Sequence, residues 1–317
     1  MNQLAGQRVS GAPPDAAAAV SGVSRDGTAA PGTTPGTTSS TTATPATWHA
    51  RLDLCIERRG AASVLARRRH SGPLRVQKAL YPEGGDLAHL ILIHPPAGIA
   101  AGDQLDIDVR LAAGSAALVT TPGAAKWYRA NGRGARQSVR LALEAGAALE
   151  WLPQETILFD GADARIDLAV DCAHGARFLG WETIVFGRRA AGEVFARGRL
   201  RQKLELRHAG RLVWRERTHV AGGDALFNSP VGWDGASVAG VLWAFGSAID
   251  DAAMQALRAI EAPGVRIGAT RLTDELLVVR ALSDSSERLR AAFVAAWSLL
   301  RPIVLARAAQ SPRIWAT

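Results

Sequence analysis

The sequence predicts a mostly β protein, a stacked two-layer or solenoid-like antiparallel β architecture with two α-helices in its C-terminal half. Three observations lead there. From residue 48 onward, apolar residues recur at every second position, as in half-buried strands. Glycine turns of similar composition follow several of these stretches. A helical spacing of apolar residues appears only near the C-terminus.

The predicted strands alternate apolar and polar side chains, so each has one buried and one solvated face. The clearest examples span residues 105–111, 138–144, 166–171 and 203–207. The first three are followed by turns containing Gly114, Gly146 and Gly175. Glycine adopts turn conformations that other residues resist, so these positions indicate chain reversals.

The central strands contain a sequence repeat. The pentapeptide Glu-Thr-Ile-Leu-Phe at 155–159 is echoed by Glu-Thr-Ile-Val-Phe at 182–186, and the tryptophans Trp151 and Trp181 precede them. A period near 30 residues favours stacked strand pairs. A plain sandwich whose hairpins are merely alike in composition is the alternative.

Two helices are predicted after residue 249. The first begins at Asp250-Asp251 and is stopped by Pro263-Gly264. Strands at 266–273 and 275–281 follow. Serines between 283 and 286 offer N-caps for a longer helix that Pro302 ends. Its buried stripe consists of Leu289, Phe293, Trp297 and Leu300.

The chain divides into a predicted tail at 1–47 and one β domain at 48–317. The tail consists mainly of Ala, Thr, Ser, Gly and Pro, which bury too little surface to offset the entropy of ordering, so we expect disorder. Two distant cysteines, Cys55 and Cys172, argue against a disulfide framework and suggest a cytoplasmic protein. No apolar segment reaches the ~20 residues that span a bilayer, so no membrane association is expected.

Signatures of enzymes and nucleic-acid binders are weak. The formal charge of +8 is spread along the chain, and Arg67-Arg68-Arg69 is its only tight basic run, so nucleic-acid binding is disfavoured. Neither a Walker A motif nor a Gly-x-Ser-x-Gly elbow occurs. The closest soft metal pair is Cys172-x-His174, for which a buried thiol beside a turn histidine is the favoured interpretation.

Three carboxylates stand out because their neighbours are apolar residues or glycines: Asp103, Glu155 and Glu182. A buried charge without a partner is costly. Either an arginine pairs with each carboxylate, or the carboxylates line a wet interior passage that a cation can use.

Several motifs together resemble the UreD (UreH) family of urease accessory proteins. They are His-Pro-Pro-Ala-Gly-Ile-Ala-Ala-Gly-Asp at 94–103, Thr-Thr-Pro-Gly-Ala-Ala-Lys-Trp-Tyr-Arg at 120–129, the segment at 149–157, Gly-Arg-Arg-Ala-Ala-Gly-Glu at 187–193 and Gly-Gly-Asp at 222–224. The resemblance covers residues 48–317.

The sequence departs from the family pattern at Ala97 and Ala101, where glycine is expected. If those positions need a positive φ, alanine is strained there by about 1 kcal/mol.

The resemblance implies a urease maturation factor rather than an enzyme. Such proteins act with UreF and the GTPase UreG on apo-urease, assisting the GTP-dependent insertion of nickel. It further implies a metallochaperone scaffold with an internal channel, no stably bound cofactor, and Ni²⁺ only in transit. Glu182 is then the foremost channel carboxylate, with Asp103 and Glu155 weaker candidates, since transit needs reversible oxygen ligands. The alternative is an interaction scaffold on apo-urease with no metal path.

Overall fold

A computed structural model describes residues 47–316, so the tail predicted at 1–47 lies outside the described residues except for Thr47. The described part contains eighteen strands and two α-helices. The strands are β1 (His49–Arg59), β2 (Ala62–Ser71), β3 (Arg75–Val76), β4 (Ala88–Ile93), β5 (Gly98–Ile99), β6 (Gln104–Leu111), β7 (Ala116–Thr120), β8 (Ala125–Trp127), β9 (Ala135–Leu143), β10 (Ala148–Leu152), β11 (Thr156–Leu158), β12 (Asp163–Cys172), β13 (Arg177–Phe186), β14 (Arg199–His208), β15 (Arg211–Ala221), β16 (Val238–Phe245), β17 (Val265–Thr273) and β18 (Leu276–Ser283).

The strands form two sheets. Sheet I has seven strands in the order β15-β14-β12-β9-β6-β1-β2. Sheet II has eleven strands, with the main path β17-β18-β16-β13-β10-β7-β4-β3 and the short strands β5, β8 and β11 beside it. The chain passes back and forth between the sheets, so sequential strands stack coil upon coil. The mostly β, stacked, two-layer prediction is therefore confirmed.

The predicted antiparallel pairing is wrong for the strands of the stack. Within the stack the pairs are parallel: β1, β6, β9, β12 and β14 in sheet I, and β4, β7, β10 and β13 in sheet II. Antiparallel pairs occur only toward the ends, as in β1–β2, β14–β15 and β16–β18. Each coil returns to the same sheet in the same direction, which makes neighbours parallel, and an alternating pattern does not distinguish the two cases.

The repeat appears directly in the register. Ile107, Val139, Leu168 and Leu204 stand side by side across β6, β9, β12 and β14. Their spacing near 30 residues is the predicted period, and it identifies stacked coils rather than a plain sandwich. The main core lies between the two sheets, and a second core lies between sheet II and the helices.

The two helices begin at the predicted caps. In α1 (Asp251–Arg258) the Asp250 side chain accepts from Ala253 N, and in α2 (Ser286–Leu305) the Ser285 side chain accepts from Arg288 N. Pro302 was expected to end α2, but the helix continues to Leu305. A proline in the final turn removes one hydrogen bond without preventing that turn from closing. Within residues 47–316, no helix is both long and apolar enough to cross a membrane.

The loop 94–103 connects β4 to β6. Ala97 N donates to His94 O in its first turn, and Ala97 adopts φ 61°, the left-handed region that favours glycine. In the second turn the positive φ falls on Gly102, not on Ala101. The strain expected for alanine therefore applies at Ala97 alone.

Candidate functional site

A cavity of about 230 Å³ lies between the sheets, next to the 94–103 loop. Its walls are largely apolar and come from both sheets and from the loops above them. Six of its lining residues carry polar side chains that are buried or half-buried, namely His94, Thr121, Gln137, Gln154, Thr156 and Glu182, and the exposed Lys126 also lines it. A single buried carboxylate, Glu182, in a largely apolar cavity with a few polar groups makes this cavity the candidate site.

Glu182 reaches the cavity because of the alternation in β13. Phe178 and Ile184, at even positions like Glu182, belong to the inter-sheet core, whereas Leu179 and Trp181 face the helices. Glu182 is 7 % exposed, and Trp151 Nε1 donates to its Oε1 at 2.8 Å. Within residues 47–316 no arginine or lysine pairs with it, so the ion-pair interpretation does not hold for Glu182.

The surroundings of Glu182 make its carboxyl exchange a proton near neutral pH. Burial raises its pKa to about 7, and the hydrogen bond from Trp151 opposes this only in part. At neutral pH this carboxyl is therefore partly protonated, and a cation that displaces the proton can take its oxygen as a ligand.

Asp103 does not line the cavity with Glu182. Its two carboxylate oxygens accept from Trp48 N at 3.1 Å and from Ala100 N at 2.9 Å. The side chain is 5 % exposed and closes the 94–103 loop onto the start of β1. With both oxygens bonded to backbone N–H groups, Asp103 shapes the loop and is outside the cavity lining.

Glu155 does not line the cavity either, and the pairing register of β11 with β13 explains why. Thr156 stands beside Ile184, not beside Thr183, so the echoing pentapeptides are offset by one residue in the stack. An offset of one residue places matching side chains on opposite faces of a sheet. Glu155 accordingly lies with Trp181, Arg290 and Phe293 on the helix side.

His94, the first residue of the 94–103 motif, also lines the cavity. Its Nε2 is buried and has no hydrogen-bond partner in the described part of the chain. Burial lowers the pKa of His94, and the charge of Asp103 offsets this only partly, so the ring is neutral. A neutral imidazole retains one nitrogen lone pair, which can accept a proton or bind a metal ion.

A second buried carboxylate, Glu150, was not found from the sequence. It lies on β10, fully buried, on the helix side of sheet II. Arg301 Nη2 bonds Glu150 Oε2 at 2.9 Å, and Trp297 Nε1 donates to Glu150 Oε1 at 2.7 Å. Glu83 completes the group, since Arg301 Nη1 donates to its Oε2 at 2.7 Å and His89 Nε2 lies 2.9 Å from its Oε1.

This Glu83–Glu150–Arg301 cluster is a structural charge network. Burial acts to raise the pKa of Glu83, but Arg301 and His89 outweigh it and hold that pKa below its usual range. Burial raises the pKa of Glu150 against the opposing influence of Arg301. The signal was present in the sequence: an arginine four residues after Trp297 in an apolar helical stripe needs a buried acid.

The soft pair Cys172-x-His174 does not form a site. Cys172 is a free thiol buried in the inter-sheet core, where burial raises its pKa to about 12. His174 is exposed in the following turn. Across residues 47–316, no group of three or more His, Cys, Asp or Glu side chains is arranged to hold a metal ion.

Comparisons with known proteins agree with these motifs. A family profile described as "UreD urease accessory protein" matches residues 49–316. Proteins named "Urease accessory protein UreD" from Azoarcus sp. and Pseudomonas aeruginosa are 48 % and 47 % identical over 270 residues. Each match covers 85 % of this chain, and 94 % and 95 % of those proteins. A protein of the same name from Nitrosococcus oceani is 45 % identical over 273 residues, 86 % of this chain and 92 % of its own. The chain belongs to the UreD family of urease accessory proteins.

Proposed function

We propose that this protein is a maturation factor for urease that assists the insertion of nickel into the apo-enzyme, without an enzymatic reaction of its own. Its partners are the apo-urease subunits, UreF and the GTPase UreG, which supplies GTP hydrolysis. The family membership and the names of its relatives support the role in urease maturation. The nickel path is supported by a single feature, the unpaired Glu182 carboxylate in the inter-sheet cavity.

The chemistry of that cavity suits a passing cation better than a resident one. A resident divalent metal is normally held by three or four protein ligands. Here one carboxylate can offer oxygen, the neutral His94 ring also lines the cavity, and among residues 47–316 no lysine or arginine pairs with Glu182. Few and weak ligands allow binding and release, which transit requires.

The alternative is a scaffold on apo-urease with no metal path. It is favoured by the positions of Asp103 and Glu155, which do not extend a line of carboxylates from Glu182. The two functions differ in whether nickel loading depends on the Glu182 carboxylate while the complex still assembles.

The test is co-expression of urease, UreF and UreG with the Glu182→Gln variant of this chain. Glutamine keeps the size of the side chain but has no negative charge. We expect unchanged co-purification of the complex and at least about a tenfold loss of nickel per urease active site, since losing a metal ligand costs no less than losing an outer partner of one.

The matched control is Glu155→Gln, the echoing glutamate on the other face of sheet II, which should leave nickel content unchanged. If Glu182→Gln urease carries as much nickel as wild type, the path through this cavity is wrong and the scaffold function stands. If co-purification itself fails, the variant has lost assembly, and Glu182→Asp then serves as the charge-retaining comparison.

A further inference from the structure

The rings of His174 and His208 meet at one end of the coil stack. Their centroids are 5.2 Å apart and their planes are inclined by 74°. His174 lies in the turn between β12 and β13, and His208 is the last residue of β14. No other pair of histidine rings in the described part of the chain makes such a contact.

Backbone pairing fixes the two positions relative to each other. In the parallel register of β12 and β14, Cys172 stands beside His208, and Ala209 N donates to Cys172 O at 2.9 Å. On the other side of the turn, Gly146 N donates to His174 O at 3.3 Å. The two histidines therefore belong to neighbouring coils whose ends are tied together.

Both rings have nitrogens free for a ligand. Within residues 47–316 neither ring makes a hydrogen bond or an ion pair. His174 is exposed, and His208 is half-buried with its ring against Phe245, at 5.2 Å between centroids. The adjoining charges are of both signs: Asp171 is exposed near the end of β12, and Arg211 stands opposite His208 in β15.

We propose that His174 and His208 form a surface site for one borderline divalent transition-metal ion, such as Ni²⁺, Cu²⁺ or Zn²⁺. An imidazole nitrogen binds such ions at about 2.0–2.1 Å, so two rings sharing one ion have centres roughly 4.5–6.5 Å apart. The observed 5.2 Å falls within that range. Binding requires the rings to turn from this edge-to-face contact so that one nitrogen of each faces the same ion, with water in its remaining positions.

The site is separate from the inter-sheet cavity. Six residues of chain lead from Ala176, at the turn, to Glu182, a strand path of roughly 20 Å. Two imidazoles on the surface select borderline metals over Ca²⁺ and Mg²⁺, which prefer oxygen ligands. Exposure and the small number of ligands make the ion quickly exchangeable. The inference holds whether or not Glu182 lies on a nickel path.

The experiment is a calorimetric titration of the full chain, without an affinity tag, with Ni²⁺. Parallel samples loaded with Cu²⁺ are examined by electron paramagnetic resonance. Wild type should show an exchangeable site with hyperfine coupling to two nitrogens, whether or not the cavity binds metal as well. His174→Ala and His208→Gln should each weaken it by at least about tenfold, because the loss of even an outer partner of a metal ligand costs about 10–100-fold.

The controls are His219→Ala, which removes an exposed histidine on β15 without a ring partner among the described residues, and Glu182→Gln. Both should keep the two-nitrogen signal. The proposal is overturned if wild type shows no two-nitrogen signal, or if both histidine variants bind as wild type does. Because His174 lies in an exposed turn, its variant remains informative if His208→Gln impairs folding.

Discussion

Glu150 and Glu182 are buried glutamates on neighbouring strands of the same sheet, and they face opposite ways. Glu150 points toward the helices, where Arg301 and Trp297 bond it. Glu182 points toward sheet I. Its one hydrogen-bond partner within the described residues is Trp151, on β10 of sheet II. The same residue type thus serves as part of a structural network on one face and as a carboxyl available for exchange on the other. Burial alone does not indicate function; the partners of the charge do.

The largest expected effect comes from removing the cation of the Glu83–Glu150–Arg301 cluster. Arg301→Met keeps the unbranched stem of the side chain but leaves Glu83 and Glu150 buried without their guanidinium partner. We expect a loss of about 3–5 kcal/mol in the free energy of unfolding, measured by urea denaturation. The exposed pair Arg110–Glu144 offers the control, because solvent screens its charges and Arg110→Met should change the free energy of unfolding far less. Equal losses for both variants would show that the cluster is not stabilised by its buried cation.

The next largest effect is the pH dependence of stability that comes from Glu182. Because burial raises the pKa of folded Glu182 to about 7, the folded chain binds this proton more tightly than the unfolded chain. That contribution to stability is fully present below about pH 4 and is lost as the pH rises through about 7. Glu182→Gln cannot ionise, so relative to it wild type should lose about 3 kcal/mol between those conditions. Urea unfolding of both proteins across this pH range measures the difference, and parallel curves would contradict the raised pKa.

A smaller effect belongs to Asp103, whose oxygens bond two backbone N–H groups. Asp103→Ala should lower the free energy of unfolding by about 1–3 kcal/mol, because two donors at the loop lose their acceptor. Asp103→Asn keeps one acceptor and should lose less. Nickel content of co-expressed urease should stay at the wild-type value wherever the variant folds. A loss of nickel without a loss of stability would return Asp103 to the metal path.

The smallest effect is expected for Glu155, the echo of Glu182 that the one-residue offset turns toward the helices. It is half-buried and near Arg290, without a direct ion pair in the described part of the chain. Glu155→Gln should change stability by no more than about 0.5 kcal/mol in urea unfolding. A change comparable with that of Arg301→Met would place Glu155 inside the charge network.

The sequence predicted the strands, the repeat and the helix caps because these depend on local patterns. It did not predict parallel pairing, since alternation looks the same in either direction. Nor could it separate Glu182 from Glu155, because a single-residue offset between coils decides which face each occupies. Arg301 and Glu150 are 151 positions apart, and only the packing of α2 on sheet II brings them together. The place of Arg301 in the apolar stripe indicates that it needs a buried acid, but no local pattern identifies Glu150 as that acid.

The distribution of arginines along the sheet edges bears on how copies of the chain meet. Sheet I ends at β2, which carries Arg67, Arg68 and Arg69, and at β15, which carries Arg211 and Arg217. An edge strand has unpaired backbone groups that another molecule could extend, and charged side chains there discourage it. Two such edges approaching each other would bring like charges together. Part of the net charge of +8 therefore lies where edge-to-edge aggregation would begin.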